Sequence, residues 1–343
     1  MNMIKIIKNI NLNRLLLIGG VITCIFAVAF LIWWRSGGIV IENNGLSKTI
    51  EGGLPKSSIS GIACENANRR PISIMLATDP ETRPLSGIGE ADMVFEMPVT
   101  PNGITRIMTV FQCQDPIEIG SIRSARNDFI PLALGLGSIY VHWGGEKEAL
   151  QKLNGHIIDN IDAMKYEGTV FFRKKGVPMP HNGFTDLGKV IDQVEKLNYG
   201  LQNTFSGYLH DEREPKKSIS NIAEEVKIDY AVPYNVQWIY DGQSSEYKRL
   251  RDSKPEMDRN SNKQVSVRVV VIMKTKSKYL NKDYISVDTQ GSGEAVIYQG
   301  GIMLTGKWQK DPLAPDSKLY FYDNGGEEIK FLPGKIWVEI TTK

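Results

Sequence analysis

Ala91-Asp-Met-Val-Phe-Glu-Met97, Pro101-Asn-Gly103 and Ile104-Thr-Arg-Ile-Met-Thr-Val-Phe111 decide how the chain is read. The two outer runs are short and rich in Val, Ile, Thr and Phe, the composition of strands. The Pro-Asn-Gly between them supplies a hairpin-type turn. Upstream, Ile72-Ser-Ile-Met-Leu-Ala77 is an apolar run that suits a buried strand, and Asp79-Pro80 and Arg83-Pro84 turn the chain. Downstream, Ser138-Ile-Tyr-Val-His142 and Thr169-Val-Phe-Phe172 read as further strands. Glu146 to Leu153 and Thr185 to Leu197 read as helices, with Thr185 as an N-cap and Asn198-Tyr-Gly200 as a stop. Strands alternating with helices predict an α/β or α+β layered N-terminal domain over residues 61–211.

Between the hairpin and the next strand lies Gly120-Ser-Ile-Arg-Ser-Ala-Arg-Asn-Asp-Phe129. A helix starting near Ser121 or Ser124, each a good N-cap, would set Arg123 and Arg126 on one side of its first turn. Free N–H groups and the positive dipole end would face the same way, an arrangement that favours an anion. The other reading is that both arginines pair with nearby carboxylates. Phe129 to Leu134 continues apolar, with Pro131 expected to kink or split the helix.

Residues 212–220 are charged and polar and read as a linker. Over residues 221–343, short runs at 235–240, 265–273, 284–287, 294–298, 301–307, 318–322 and 335–340 are punctuated by Gly, Asp and Asn. That spacing predicts a small mostly-β C-terminal domain, a sandwich or barrel. Gly306-Lys-Trp308 and Tyr247-Lys-Arg249 pair aromatics with cations, as a sugar- or peptide-binding face does, although aromatics at strand spacing more often belong to a core.

Charge is nearly balanced, 41 basic against 39 acidic side chains with a net charge of +2. Mixed signs throughout exclude the basic field that nucleic acid demands. Leu15 to Trp34 is an uncharged, mostly apolar run of about 30 Å as a helix, long enough to cross a bilayer. Lys5, Lys8 and Arg14 precede it, so residues 1–14 are expected in the cytoplasm and everything after the span outside. A cleaved signal peptide is the competing reading, but no small-x-small site follows the run directly. A lipid anchor on Cys24 lacks the expected small residue before the cysteine. Residues 35–60, rich in Gly, Ser and Asn, read as a linker. Outside the cytoplasm Cys64 and Cys113 can oxidise to a disulfide; two free buried thiols are the alternative.

Chemistry-bearing residues gather in the first domain. Arg106, Arg123 and Arg126 repel one another unless something negative joins them. Protein carboxylates such as Glu96, Asp92 and Asp128 can do so, and so can a bound phosphate, whose oxygens match a guanidinium fork. His142, in Val141-His-Trp-Gly-Gly145, and His181 with Asn182, in Met179-Pro-His-Asn-Gly183, fall in turn contexts where functional side chains concentrate. The ligand-binding candidates are therefore Arg106, Arg123, Arg126, His142, His181 and Asn182. The candidate acids and bases are His142, His181, Glu96 and Asp128, which would suffice for phosphoryl or glycosyl-phosphate transfer if they converge. Two histidines and a carboxylate could also hold a metal. Each histidine has a structural reading too. No zinc-spaced cluster, nucleophile elbow, P-loop or dinucleotide fingerprint is present, and the sequence is silent on any cofactor and on metal dependence.

Ala91-Asp-Met-Val-Phe-Glu-Met-Pro98, Gly103-Ile-Thr-Arg106, Ile119-Gly-Ser-Ile-Arg-Ser-Ala-Arg126, Val141-His-Trp-Gly-Gly145 and Pro180-His-Asn182 occur in fixed order. They are followed by Gly291-Ser-Gly-Glu-Ala295, Phe321-Tyr-Asp-Asn-Gly325 and Pro333-Gly-Lys-Ile-Trp337. Together, over roughly residues 59–343, they resemble the YerB-like family of bacterial envelope proteins. The resemblance implies a two-domain extracytoplasmic protein held at the membrane, and no particular activity. Family members are often lipoproteins, whereas the anchor expected here is a transmembrane helix. The function expected from the residues is binding of an anionic, phosphorylated envelope ligand by the Arg/His cluster. The alternatives are a tethered scaffold for an envelope protein partner, or a phosphodiester or cell-wall glycan hydrolase or transferase.

Overall fold

The computed structural model of the protein describes residues 53–215 and 221–342. The first segment contributes five strands to a large sheet, β1 (Ile72–Ala77), β2 (Met93–Pro98), β3 (Thr105–Phe111), β4 (Ile139–His142) and β5 (Asn160–Asp162), besides three short strands that pair among themselves. Next come β6 (Glu225–Ile228), β7 (Val236–Asp241) and β8 (Glu246–Arg251), which build a separate small sheet with two short flanking strands. Then β9 (Val269–Thr275), β10 (Gly291–Gln299), β11 (Ile302–Lys310), β12 (Tyr320–Asp323) and β13 (Ile336–Thr342) return to the first sheet. The result is one ten-stranded sheet in the order β12-β11-β10-β9-β13-β2-β3-β1-β4-β5.

The expected sandwich or barrel over residues 221–343 is thus corrected. Five strands of that segment extend the first domain's sheet instead of closing on themselves. The physical reason is visible in β9, whose Val269-Val-Val-Ile-Met273 is a continuous apolar run that must be covered on both faces. The chain's last strand, β13, runs parallel to β2 on one side and to β9 on the other.

Alternation along each strand feeds two cores. Met75, Phe95, Met108, Val271 and Val338 face one, with the helices α1 (Ile130–Gly135) and α2 (Lys147–Asn154). Ile74, Val94, Ile107, Val270 and Trp337 face the other, with α3 (Leu187–Lys196) and the small sheet. In α3, Leu187, Val190 and Val194 recur at helical spacing on the buried face.

The β2–β3 hairpin forms as expected, and Gly103 takes the positive φ of 81° that its turn requires. Thr185 is not the cap of α3. It ends a short strand, and Asp186 caps instead, accepting from Lys189 N at 2.8 Å. Of Thr169–Phe172, only Phe172 pairs as a strand, together with Arg173. Pro131 sits in the first turn of α1, where its missing N–H costs nothing, so it starts the helix and does not kink it.

Cys64 and Cys113 form a disulfide across a sequence separation of 49, and it ties the entry segment to the end of β3. The expected membrane span and the cytoplasmic stub before it lie outside the described residues. Among the described residues no helix is long and apolar enough to cross a membrane. Gly53–Lys343 forms its own compact unit with both cores inside it.

Candidate functional site

Parallel β1 and β4 pair only from Ile72–Ile139 to Ile74–Val141. Beyond that their carboxyl ends part, and the stretch after Gly120 fills the gap. Ala77 N donates to Ser121 O at 2.9 Å and Arg123 N to Met75 O at 2.9 Å. On the other side Trp143 N donates to Arg123 O at 3.0 Å and Ala125 N to Gly144 O at 2.9 Å. The stretch is extended, so the expected helix start at Ser121 or Ser124 is corrected. Unpaired groups on two splayed strands need backbone partners, and a helix there would leave them bare. The first helical turn begins only at Asn127, after an extended Arg126.

Arg106, opposite Ala77 on β3, flanks the end of β1 from one side, and Arg123 flanks it from the other. The three arginines act on one another. Arg106 is buried, and burial first, then Arg123 and Arg126, push its pKa down to about 10 against the pull of Asp79. Burial also lowers Arg123, partly offset by Asp79 and reinforced by Arg126.

Two carboxylates answer three guanidinium groups. Arg106 Nη1 lies 3.1 Å from Asp79 Oδ2, and Arg126 Nη1 lies 3.3 Å from Glu146 Oε2. Arg126 also stacks 4.4 Å above the Tyr284 ring. Arg123 has no ion pair among the described residues. Its single hydrogen bond there is a long one, Nη1 to Pro180 O at 3.4 Å. The Nε of Arg106, Arg123 and Arg126 are all buried without a partner. Their Nη2 groups make no hydrogen bond to any described residue, each arginine bonding through Nη1 alone.

The histidines and carboxylates do not complete an acid–base set. His142 is buried, with Nδ1 donating to Gly144 O at 2.7 Å and Nε2 facing Asn160 Oδ1 at 3.3 Å. Burial lowers its pKa against the opposing effect of Asp162, so the ring is neutral and braces the end of β4. His181 is half-buried beside the arginine stretch. Its backbone oxygen accepts from Ser121 Oγ at 2.5 Å, and its Nδ1 has no partner. Asn182 is spent on Arg173, whose Nη1 donates to its Oδ1 at 3.0 Å. Asp128 accepts from Val287 N at 2.7 Å and Ser286 Oγ at 3.2 Å, binding the first segment to the second.

Glu96 belongs to a different cluster. It accepts from Arg251 Nη1 and Nη2 at 2.9 and 2.8 Å, from Thr105 Oγ1 at 2.6 Å and from Arg249 Nη2. Arg249 also binds Glu256 and Glu339, and its guanidinium lies 3.9 Å over Trp337 and 4.7 Å over Trp238. Arg249, Tyr247 and Trp308 are fully buried, so these side chains belong to the core, the reading their strand spacing favours over a binding face.

Sequence reasoning missed Asp79, Glu146 and Tyr284. Asp79 carried a signal, since it lies two residues past a strand's carboxyl end. Tyr284 carried none, because it reaches the site from a segment more than 150 residues away in sequence.

The fold and the arrangement of motifs define a protein of two sequence domains, and the chain belongs to the family of proteins of unknown function designated DUF3048. The N-terminal domain of that family matches residues 59–200 and its C-terminal domain residues 226–338. A relative in Bacillus subtilis (strain 168), named "Putative lipoprotein YerB", is 27% identical over 291 residues, covering 83% of this chain and 86% of that protein. The crystal structure of YerB from Bacillus subtilis superimposes with a TM-score of 0.76 at 26% identity, over 84% of this chain and 97% of that one.

Proposed function

We propose that this is an extracytoplasmic protein, held at the membrane by its N-terminal segment, that binds a phosphorylated cell-envelope ligand through Arg106, Arg123 and Arg126. The observation that carries the reading is the unspent donor capacity of three mutually repelling guanidinium groups answered by two carboxylates. An oxyanion between them would relieve the repulsion and accept the free Nη2 hydrogens. His181 stands at the edge of this seat; His142, held through Nδ1 by Gly144 O, braces the strand end beside it. The disulfide and the lipoprotein name of the Bacillus subtilis relative support a location outside the cytoplasm.

Inorganic pyrophosphate titrated into the protein tests the reading. Arg123→Gln removes the arginine with no ion pair. It should weaken binding by about tenfold to a hundredfold, the loss of one or two charge-assisted hydrogen bonds. Unchanged binding alongside a lowered melting temperature would assign the cluster to stability alone. The scaffold alternative predicts that arginine substitutions leave partner capture untouched. Deleting residues 221–343 does not separate the two readings, since it removes half the strands of the sheet.

A further inference from the structure

The loops that border the arginines carry exposed apolar side chains. Tyr284, stacked under Arg126, accepts through its backbone oxygen from Leu280 N at 3.0 Å. Leu280 and its neighbour Tyr279, 76% exposed, thus stand on the hairpin that covers Arg126. Met179, 72% exposed, precedes Pro180, whose oxygen takes the one hydrogen bond of Arg123. Met164, also exposed, shares Asp162 Oδ1 with Gly144, whose own oxygen accepts from Ala125 in the arginine stretch. On a water-soluble anion site such a rim would be polar, since exposed apolar groups gain nothing beside a hydrated ligand.

We infer that the seat takes the phosphate headgroup of a lipid while Tyr279, Leu280, Met179 and Met164 rest against the apolar part of the bilayer surface. This rests on the phosphate reading above and names the kind of molecule that carries the phosphate. Aromatic and aliphatic side chains set around cations are the composition of surfaces that lie at a membrane interface. Position agrees. Eighteen residues separate the apolar run ending at Trp34 from Gly53, and a chain of that length reaches at most about 60 Å. An anchored unit is therefore kept within range of headgroups in its own membrane.

The test uses residues 53–343, which enclose both cores, in cosedimentation with phosphatidylcholine vesicles with and without phosphatidic acid. Binding of inorganic pyrophosphate is measured in parallel. The protein should sediment with vesicles containing phosphatidic acid and stay in solution with phosphatidylcholine alone. The double variant Tyr279→Ser, Leu280→Ser should lose about tenfold or more in vesicle affinity while its pyrophosphate affinity is unchanged. Arg123→Gln should lose both. If pyrophosphate binds at the arginines but the double variant sediments like the parent, the lipid inference falls and the phosphate site stands. If neither pyrophosphate nor phosphatidic acid vesicles bind, both fall. Equal binding to both kinds of vesicle overturns the headgroup seat. Met179→Ser, at an exposed position, guards against misfolding of the double variant and should shift vesicle binding in the same direction.

Discussion

Glu96 on β2 and Glu339 on β13 are direct neighbours across two parallel strands, and both are fully buried. Two carboxylates so placed would drive the strands apart. Arg249, reaching down from β8, binds both and is itself enclosed by Trp238 and Trp337. Glu339 accepts further from Trp238 Nε1 at 2.9 Å. One guanidinium from the small sheet therefore fixes how the two halves of the large sheet join.

Arg249→Leu should cost about 3–5 kcal/mol, because it leaves buried carboxylates without their counter-charge. Burial already holds Glu339 above the usual carboxylate range, opposed chiefly by Arg249. Without Arg249 its pKa rises further, so the folded form favours the protonated acid and stability falls as pH rises through that window. Urea denaturation should show a deficit that is largest near neutrality and shrinks in acid.

Asp128 titrates in the opposite sense from a salt-bridged carboxylate. Burial pushes its pKa up to about 6, with Glu146 adding and the Val287 N–H opposing. Between the ordinary carboxylate range and about 6 the folded protein keeps a proton that the unfolded chain has released. Its contribution to stability is therefore present in acid and lost as pH rises toward 6. Asp128→Asn should flatten that part of a melting-temperature profile against pH.

The arginines of the candidate site should separate cleanly in stability. Arg123→Ala breaks no ion pair and should stay within about 0.5 kcal/mol of the parent. Arg126→Ala loses the stacking on Tyr284 and the bond to Glu146, and should cost about 1–3 kcal/mol. Chemical denaturation of the two variants side by side measures the difference.

Reduction of the Cys64–Cys113 bridge frees a loop spanning 49 residues of separation. By the chain-entropy argument this should lower stability by about 4 kcal/mol, less any strain released. Melting with and without a reductant should show it, and Cys64→Ser should melt like the reduced parent.

Removing residues 336–343 should abolish cooperative unfolding of the whole sheet, including the strands from the first segment, since β2 and β9 then have no partner on their shared side. Circular dichroism against temperature should show no sharp transition. A sharp transition in the shortened protein would mean that the first domain folds by itself.

Local chemistry made much of the first domain legible. Val94 and Phe95 with Ile107 and Met108 alternate between the two cores as the hairpin reading requires, and Gly103 turns the chain. The helix expected over Glu146 to Leu153 forms at Lys147–Asn154. The arginine stretch was misread because small hydroxyl residues suit both N-caps and extended chain, and what decides between them is the gap between β1 and β4, made by residues far away. The sandwich expectation failed for a similar reason. Strand spacing identifies strands but does not say which sheet they join. Arg249 and Arg251 lie two apart in Glu246-Tyr-Lys-Arg-Leu-Arg251, on the same inward face as Tyr247, so their burial was written in the alternation. Their partners Glu96 and Glu339 were not, because each comes from a different strand of the other sheet.

The placing of β13 also has a bearing on biosynthesis. A nascent polypeptide leaves the ribosome amino end first, so everything up to residue 335 emerges while the seam of the sheet still lacks its closing piece. Until β13 has emerged, two long apolar edges remain open to any passing strand, the condition under which neighbouring chains stick together. The hazard lasts until residues 336–342 have emerged and seated between those two edges.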